Sequence, residues 1–202
     1  MKKYYQLNRH ILKYAAIIYL VAFSVISAAC VFVILYFYSL DSFMVASIGV
    51  ASAILLTGYI LLQLLVTGNY EFQRRMRIYS IPALSAYFKN NGFAFINAAG
   101  NSKFDLLEPI MSGRINTFLV EVIPDEENQL FLLFQFKIAV KKMTKEEFSA
   151  LFHLLKQQRA TFTPTKIILK IEIGKLKTES ELSIKLDAFI HLLLNEGFRP
   201  LA

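Results

Sequence analysis

The sequence predicts a membrane-anchored α/β protein: a two-helix transmembrane hairpin followed by a mixed-sheet domain in the order α-β-β-β-β-α-β-α. Three observations predict it. No charged side chain lies between Lys13 and Asp41, and none lies between Asp41 and Glu71. Beyond residue 68 the continuous apolar runs give way to helical and alternating periods. Of the 202 residues, 55% are hydrophobic and 18% charged, which excludes a disordered chain and an ordinary soluble protein. The part after residue 68 is long enough to bury a core of its own.

Crossing a hydrocarbon layer of about 30 Å takes about 20 helical residues, and residues 14–38 and 43–66 both suffice. Helix is the state in which such a run satisfies its own backbone in lipid. The linker Ser39-Leu40-Asp41-Ser42 allows only a tight antiparallel turn. Small residues four apart let helix backbones approach closely. Ser24 and Ala28 supply one such pair, and Ser47 with Ala51, or Gly49 with Ala53, the other.

Lys2, Lys3, Arg9 and Lys13 precede the first span, Arg74, Arg75 and Arg77 follow the second, and the connecting loop carries only Asp41. By the positive-inside rule both termini are cytoplasmic, in a bacterial-type inner membrane. Residues 1–13 then read as a basic interfacial tail, 14–68 as the hairpin and 69–202 as a cytosolic domain. The first apolar run exceeds the roughly 7–15 residues of a signal peptide. Ser27-Ala28-Ala29-Cys30 resembles a lipoprotein cleavage box, but the apolar run continues from Val31 to Tyr38, so Cys30 reads as a small apolar helix residue. A lone cysteine excludes an intrachain disulfide and suits a reducing compartment.

The net charge of +7 is mostly a matter of topology, since 18 basic and 14 acidic side chains follow residue 68. Lysine or arginine beside an anionic bilayer surface contributes about 1 kcal/mol each. Arg74, Arg75 and Arg77 are therefore candidates both for topology-setting charge and for contact with lipid headgroups. The basic balance gives nucleic acid little support as a partner.

In the second part, Met76, Tyr79, Leu84, Tyr87 and Phe88 recur at helical spacing. Pro82 interrupts them, so a kink or two short helices are expected, with Ser80 placed to cap the second. Asn90-Asn91-Gly92 provides a stop. Strands are expected over 92–98, 103–110 and 114–123, then an acidic turn at 124–128 and a returning strand over 129–140. If Ile123 faces Gln129, that turn closes directly. Thr144 and Glu147 form a capping box opening a helix with Phe148, Leu151, Phe152 and Leu155 on one face. A strand over 165–173 follows. Thr178 and Glu181 form a second box before a helix bearing Leu182, Leu186, Phe189, Ile190 and Leu193, which stops near Gly197. The strand–helix–strand passage implies at least one parallel pair.

Most catalytic signatures are absent: no phosphate-binding glycine loop, no dinucleotide fingerprint, no cysteine pair for zinc and no serine-nucleophile motif. His10, His153 and His191 are scattered. One constellation stands out. Gly92-Phe93-Ala94-Phe95-Ile96, Phe104-Asp105-Leu106-Leu107 and Phe118-Leu119-Val120-Glu121-Val122-Ile123 together resemble the core of restriction-endonuclease-like domains. These are the PD-(D/E)xK superfamily with its Mrr-like members, and the resemblance covers residues 70–173. It implies a helix, three strands, a helix and a strand, with Asp105 and Glu121 as the metal-binding and catalytic carboxylates, Mg²⁺ as cofactor and nucleic acid as substrate. Hard oxygen ligands suit Mg²⁺, and a nearby lysine orients the nucleophile and stabilises charge.

Ile123 departs from the family pattern, because it stands where the lysine belongs. Gln135-Phe136-Lys137 offers another lysine. In the register that pairs Ile123 with Gln129, however, Lys137 lies roughly 20 Å along the strand from Glu121 and cannot serve it. Lys103 is the remaining candidate, with nothing in the sequence to place it. Two readings follow. The preferred one is a non-catalytic protein presenting its cytosolic domain to a protein partner or to further copies of itself. The alternative is a membrane-tethered, Mg²⁺-dependent nuclease using Asp105 and Glu121. Neither span carries a charged side chain, so the chain by itself offers no ion pathway.

Overall fold

Two long helices open the chain in this computed structural model, α1 (Lys2–Phe37) and α2 (Ser42–Tyr79). The structure describes residues 1–38, 40–98, 106–125, 128, 130–139 and 143–201, Ala98 by its backbone alone. Both helices are long and apolar enough to cross a membrane. The most apolar window of α1 buries none of its residues inside the molecule and that of α2 only 17%, unlike core helices of a soluble protein. At 36 and 38 residues they reach about 55 Å, well beyond a hydrocarbon layer. Asp41 starts α2: its Oδ1 accepts from the backbone N–H of Phe43 at 2.8 Å and of Met44 at 3.3 Å.

The chain falls into two compact units, one holding Met1–Gln73 with residues 106–108, the other Arg74–Ala98 with Pro109 onward. In the first unit Gly49 is the close-approach point, since a Cβ there would lie 2.7 Å from Val31 Cγ2. Ser24, Ala28, Gly49 and Ala53 line one apolar groove of about 580 Å³. Ser47 and Ala51 point away and are exposed. Gly49 with Ala53 is thus the pair that meets α1, and Ser27, half-buried, sits nearer that contact than Ser24.

Residues 2–13, expected as an interfacial tail, are the first three turns of α1 and bury one stripe, Tyr4, Asn8 and Leu12. The Tyr4 ring meets Phe72 edge-on at 6.0 Å, and any side chain at Gly68 would strike the Tyr4 hydroxyl. Burial, with Glu108 adding to it, raises the Tyr4 phenol above its usual pKa. Asn8 is fully buried. Its Nδ2 donates to the Leu107 carbonyl at 3.1 Å and its Oδ1 accepts from the Leu107 N–H at 2.6 Å, so one side chain does the work of a strand neighbour.

Helix α2 runs unbroken through the change of periodicity after residue 68, as far as Tyr79. Pro82 then occupies the first turn of α3 (Pro82–Asn90), so the two-helix alternative is the one adopted. Ile81 holds the cap position; Ser80 instead donates back to the Arg77 carbonyl at 2.7 Å.

Among the described residues six strands follow: β1 (Ala94–Ala98), β2 (Glu108–Ile115), β3 (Phe118–Pro124), β4 (Phe131–Lys137), β5 (Ala160–Thr163) and β6 (Lys166–Glu172). Helix α4 (Lys145–Gln157) separates β4 from β5, and α5 (Glu179–Asn195) closes the domain. The sheet order is β1-β2-β3-β4-β6-β5. Every described register, β2 with β3, β3 with β4, β4 with β6 and β5 with β6, is antiparallel.

The expected parallel pair is therefore corrected. The short strand β5 reverses the chain once more before β6, and β6 enters beside β4 in the opposite sense. The expected strand over 114–123 is also two strands, folded at Asn116-Thr117 with Ile115 opposite Phe118. Asn116 takes φ 52°, the left-handed region that asparagine tolerates better than most side chains.

Alternation along the strands separates two faces. Val120, Val122, Leu132, Phe134, Phe136, Ile167, Leu169 and Ile171 share one core with Leu84, Tyr87 and Phe88 of α3, Leu151 and Leu155 of α4, and five residues of α5. Those five, Leu182, Leu186, Phe189, Ile190 and Leu193, are the ones read from the sequence. The Thr144–Glu147 capping box forms in full. Only half of the second does: Thr178 accepts from the Glu181 N–H at 3.3 Å, but the Glu181 carboxylate turns to the Lys177 N–H at 2.9 Å. On α4 the single apolar face divides, with Leu151 and Leu155 buried while Phe148 and Phe152 stand half exposed and stacked at 6.5 Å.

Replacing Asn8 with alanine leaves the Leu107 N–H and C=O without their partner. A loss of about 1–3 kcal/mol is expected in a denaturant titration of the detergent-solubilised chain.

Candidate functional site

The chemistry-bearing side chains collect on the sheet face opposite the helices. Val120 and Val122 are fully buried on the helix side, so Glu121 between them must point to the other face. It lies between Ser112 on β2 and Gln135 on β4. Gln135 in turn faces Ile168, and Lys137 faces Lys166 directly across β6.

Two diagonal contacts knit these rows together. Lys137 Nζ sits 2.9 Å from Glu121 Oε2, and Lys166 Nζ donates to Gln135 Oε1 at 2.9 Å. Farther along, the buried carboxylate of Asp125 accepts from Lys170 at 3.0 Å. Glu172 pairs with Lys175 at 2.8 Å and with Arg159 at 3.3 Å. The Lys175 hydrogen bond is the largest cause holding the Glu172 carboxyl below its ordinary pKa of 4.5.

The sequence placed Lys137 roughly 20 Å from Glu121; the structure joins them. Ile123 pairs with Leu133, not Gln129. The turn is longer than assumed, because the Asp125 N–H reaches the Phe131 carbonyl and the Phe131 N–H bonds back to Asn128, both at 3.0 Å. A four-residue shift keeps every side chain on its expected face while sliding Lys137 up to Glu121. The Gln135-Phe136-Lys137 motif was visible in the sequence; only the register hid its neighbour.

Asp105 and Lys103 lie outside the described residues. The surroundings of Glu121 are cationic: Lys137 sits on its carboxylate and Lys166 lies in the next row. Among the described residues there is no group of three or more His, Cys, Asp and Glu side chains able to hold a metal. At the end of α2, Arg77 is exposed, Arg74 half-buried and Arg75 buried.

The chain matches no family model, no curated protein and no solved structure.

A double-mutant cycle between Glu121→Gln and Lys137→Met measures the ladder. Because both side chains are partly exposed, at 18% and 30%, a coupling within about 1 kcal/mol is expected. The Glu172 pair makes an acid-side prediction. Its folded pKa lies below 4.5, so the stabilisation is present above that pH and disappears as pH falls through the lowered value. Glu172→Gln is expected to lower stability at neutral pH and to flatten the acid limb of a stability–pH curve below about pH 4.5.

Proposed function

We propose that this chain is a two-pass anchor of a bacterial-type inner membrane, with both termini cytoplasmic, whose α/β domain docks a protein partner or further copies of the chain. The observation that carries this reading is the surface of α1 and α2, whose most apolar windows are 0% and 17% buried within the molecule. Such a surface needs lipid to cover it. Basic residues cluster before the first span and after the second while the turn holds one aspartate, which supports the orientation. Both spans lack charged side chains, which argues for anchoring over transport. The Glu121 carboxylate, held by Lys137, favours a structural role for that residue.

Membrane fractionation, terminal reporter fusions and crosslinking in native membranes test this directly. The chain is expected to resist alkaline extraction, to report both termini as cytoplasmic, and to crosslink to another protein or to itself. Recovery of isolated monomers alone would sink the docking role.

One observation favours a second reading, a membrane-tethered nuclease: Glu121 lies directly opposite the glutamine of a Gln-x-Lys motif and within reach of its lysine. The purified chain would then cut DNA or RNA with added Mg²⁺ or Mn²⁺, and Asp105→Ala and Glu121→Gln would each abolish the cutting. Cleavage indifferent to both substitutions would mark a contaminant.

A further inference from the structure

We infer that the cleft where β4 begins and β6 ends is a binding site for a phosphate group. The cleft is a shallow groove of about 410 Å³, open to solvent, and Phe131, Lys156, Arg159, Thr161, Lys170 and Glu172 line it. That volume suits a small ligand. This assignment does not depend on what the domain docks.

Cations reach the cleft from three separate parts of the fold: Lys156 in the last turn of α4, Arg159 in the link to β5 and Lys170 on β6. A helix C-terminus accounts for one positive charge nearby, and the buried Asp125 takes one N–H of Lys170 at 3.0 Å, leaving that ammonium two more; neither accounts for Arg159. The single carboxylate among these six, Glu172, is already held by Lys175 at 2.8 Å. Arg159 commits only Nη1 to Glu172, at 3.3 Å, which leaves the rest of its planar donor fork for another anion. Lys156 makes no ion pair among the described residues. The Phe131 ring, 6.0 Å from the Arg159 guanidinium, supplies an apolar wall for whatever body carries the phosphate.

The backbone adds an independent observation. Arg159 has φ 57°, a conformation in which glycine or asparagine is the usual occupant after a helix. Either would end α4 and start β5 with less strain. What arginine adds over asparagine at that position is its guanidinium. Phosphate monoesters and diesters fit a fork flanked by two lysines and the threonine hydroxyl, whether the phosphate belongs to a soluble molecule or to a lipid headgroup.

The test uses the full chain in phosphatidylcholine nanodiscs. Thermal unfolding is followed against inorganic phosphate, with chloride at equal ionic strength as control, and in a second arm with phosphatidic acid included in the disc. Phosphate beyond the chloride effect is expected to raise the midpoint. Lys156→Gln and Arg159→Asn are each expected to weaken the apparent affinity about tenfold, measured against each variant's own phosphate-free midpoint. A response to inorganic phosphate assigns a soluble source, and a response confined to phosphatidic acid assigns a lipid one. Absence of any response in either arm, or a response unchanged in both variants, overturns the site.

Discussion

One-sided burial of the sheet is the constraint on which the rest of the second unit depends. Three helices fill a single face, so every second residue of β3, β4 and β6 has to be apolar, while the residues between them are released from that demand. Those intervening positions carry Glu121, Gln135, Lys137, Lys166 and Lys170. Strand alternation alone would let the pair β3–β4 slide by even numbers of residues without exposing a hydrophobe. Turn length chooses among these registers. The backbone bonds from Asp125 to Phe131 and from Phe131 to Asn128 make that choice, and the proximity of Lys137 to Glu121 is its consequence.

This explains which parts were legible in the sequence. Elements with a local chemical signature could be read directly: the reciprocal bonds of Thr144 and Glu147, the apolar stripe of α5 and its end at Gly197, whose φ of 75° suits glycine. Elements decided by long-range pairing could not. Asn116-Thr117 lacks the glycine that usually announces a two-residue hairpin, so the end of β2, Arg114 and Ile115, reads in the sequence as the start of β3. Strand β5 has only four residues, too few for a period to show. Missing it removed one chain reversal, which turned an antiparallel neighbour into an expected parallel one. At the candidate site, the face of Glu121 was legible and its partner was not, because partner identity follows from register.

The first unit follows a different logic. Its helices are held by close backbone approach at Gly49 and by the Tyr4–Gly68 contact, and Asn8 ties α1 to Leu107 just before β2. Hydroxyl groups on α2 are satisfied by its own carbonyls, as when Thr57 donates to Ala53 at 2.8 Å and Thr67 to Gln63 at 2.7 Å, an economy that suits a helix surrounded by hydrocarbon. A buried asparagine eight residues into the chain has no counterpart in hydropathy. Composition describes residues 1–13 as basic, whereas the spacing Tyr4, Asn8, Leu12 shows the face that packs.

Among the described residues the sheet ends in two brief margins, β1 with five residues and β5 with four. A strand from a neighbouring molecule would find few free amides and carbonyls to grip along either rim, so fibril-like growth by lateral strand addition has little template from which to start. Rims this stunted keep chance encounters between copies from hardening into aggregates.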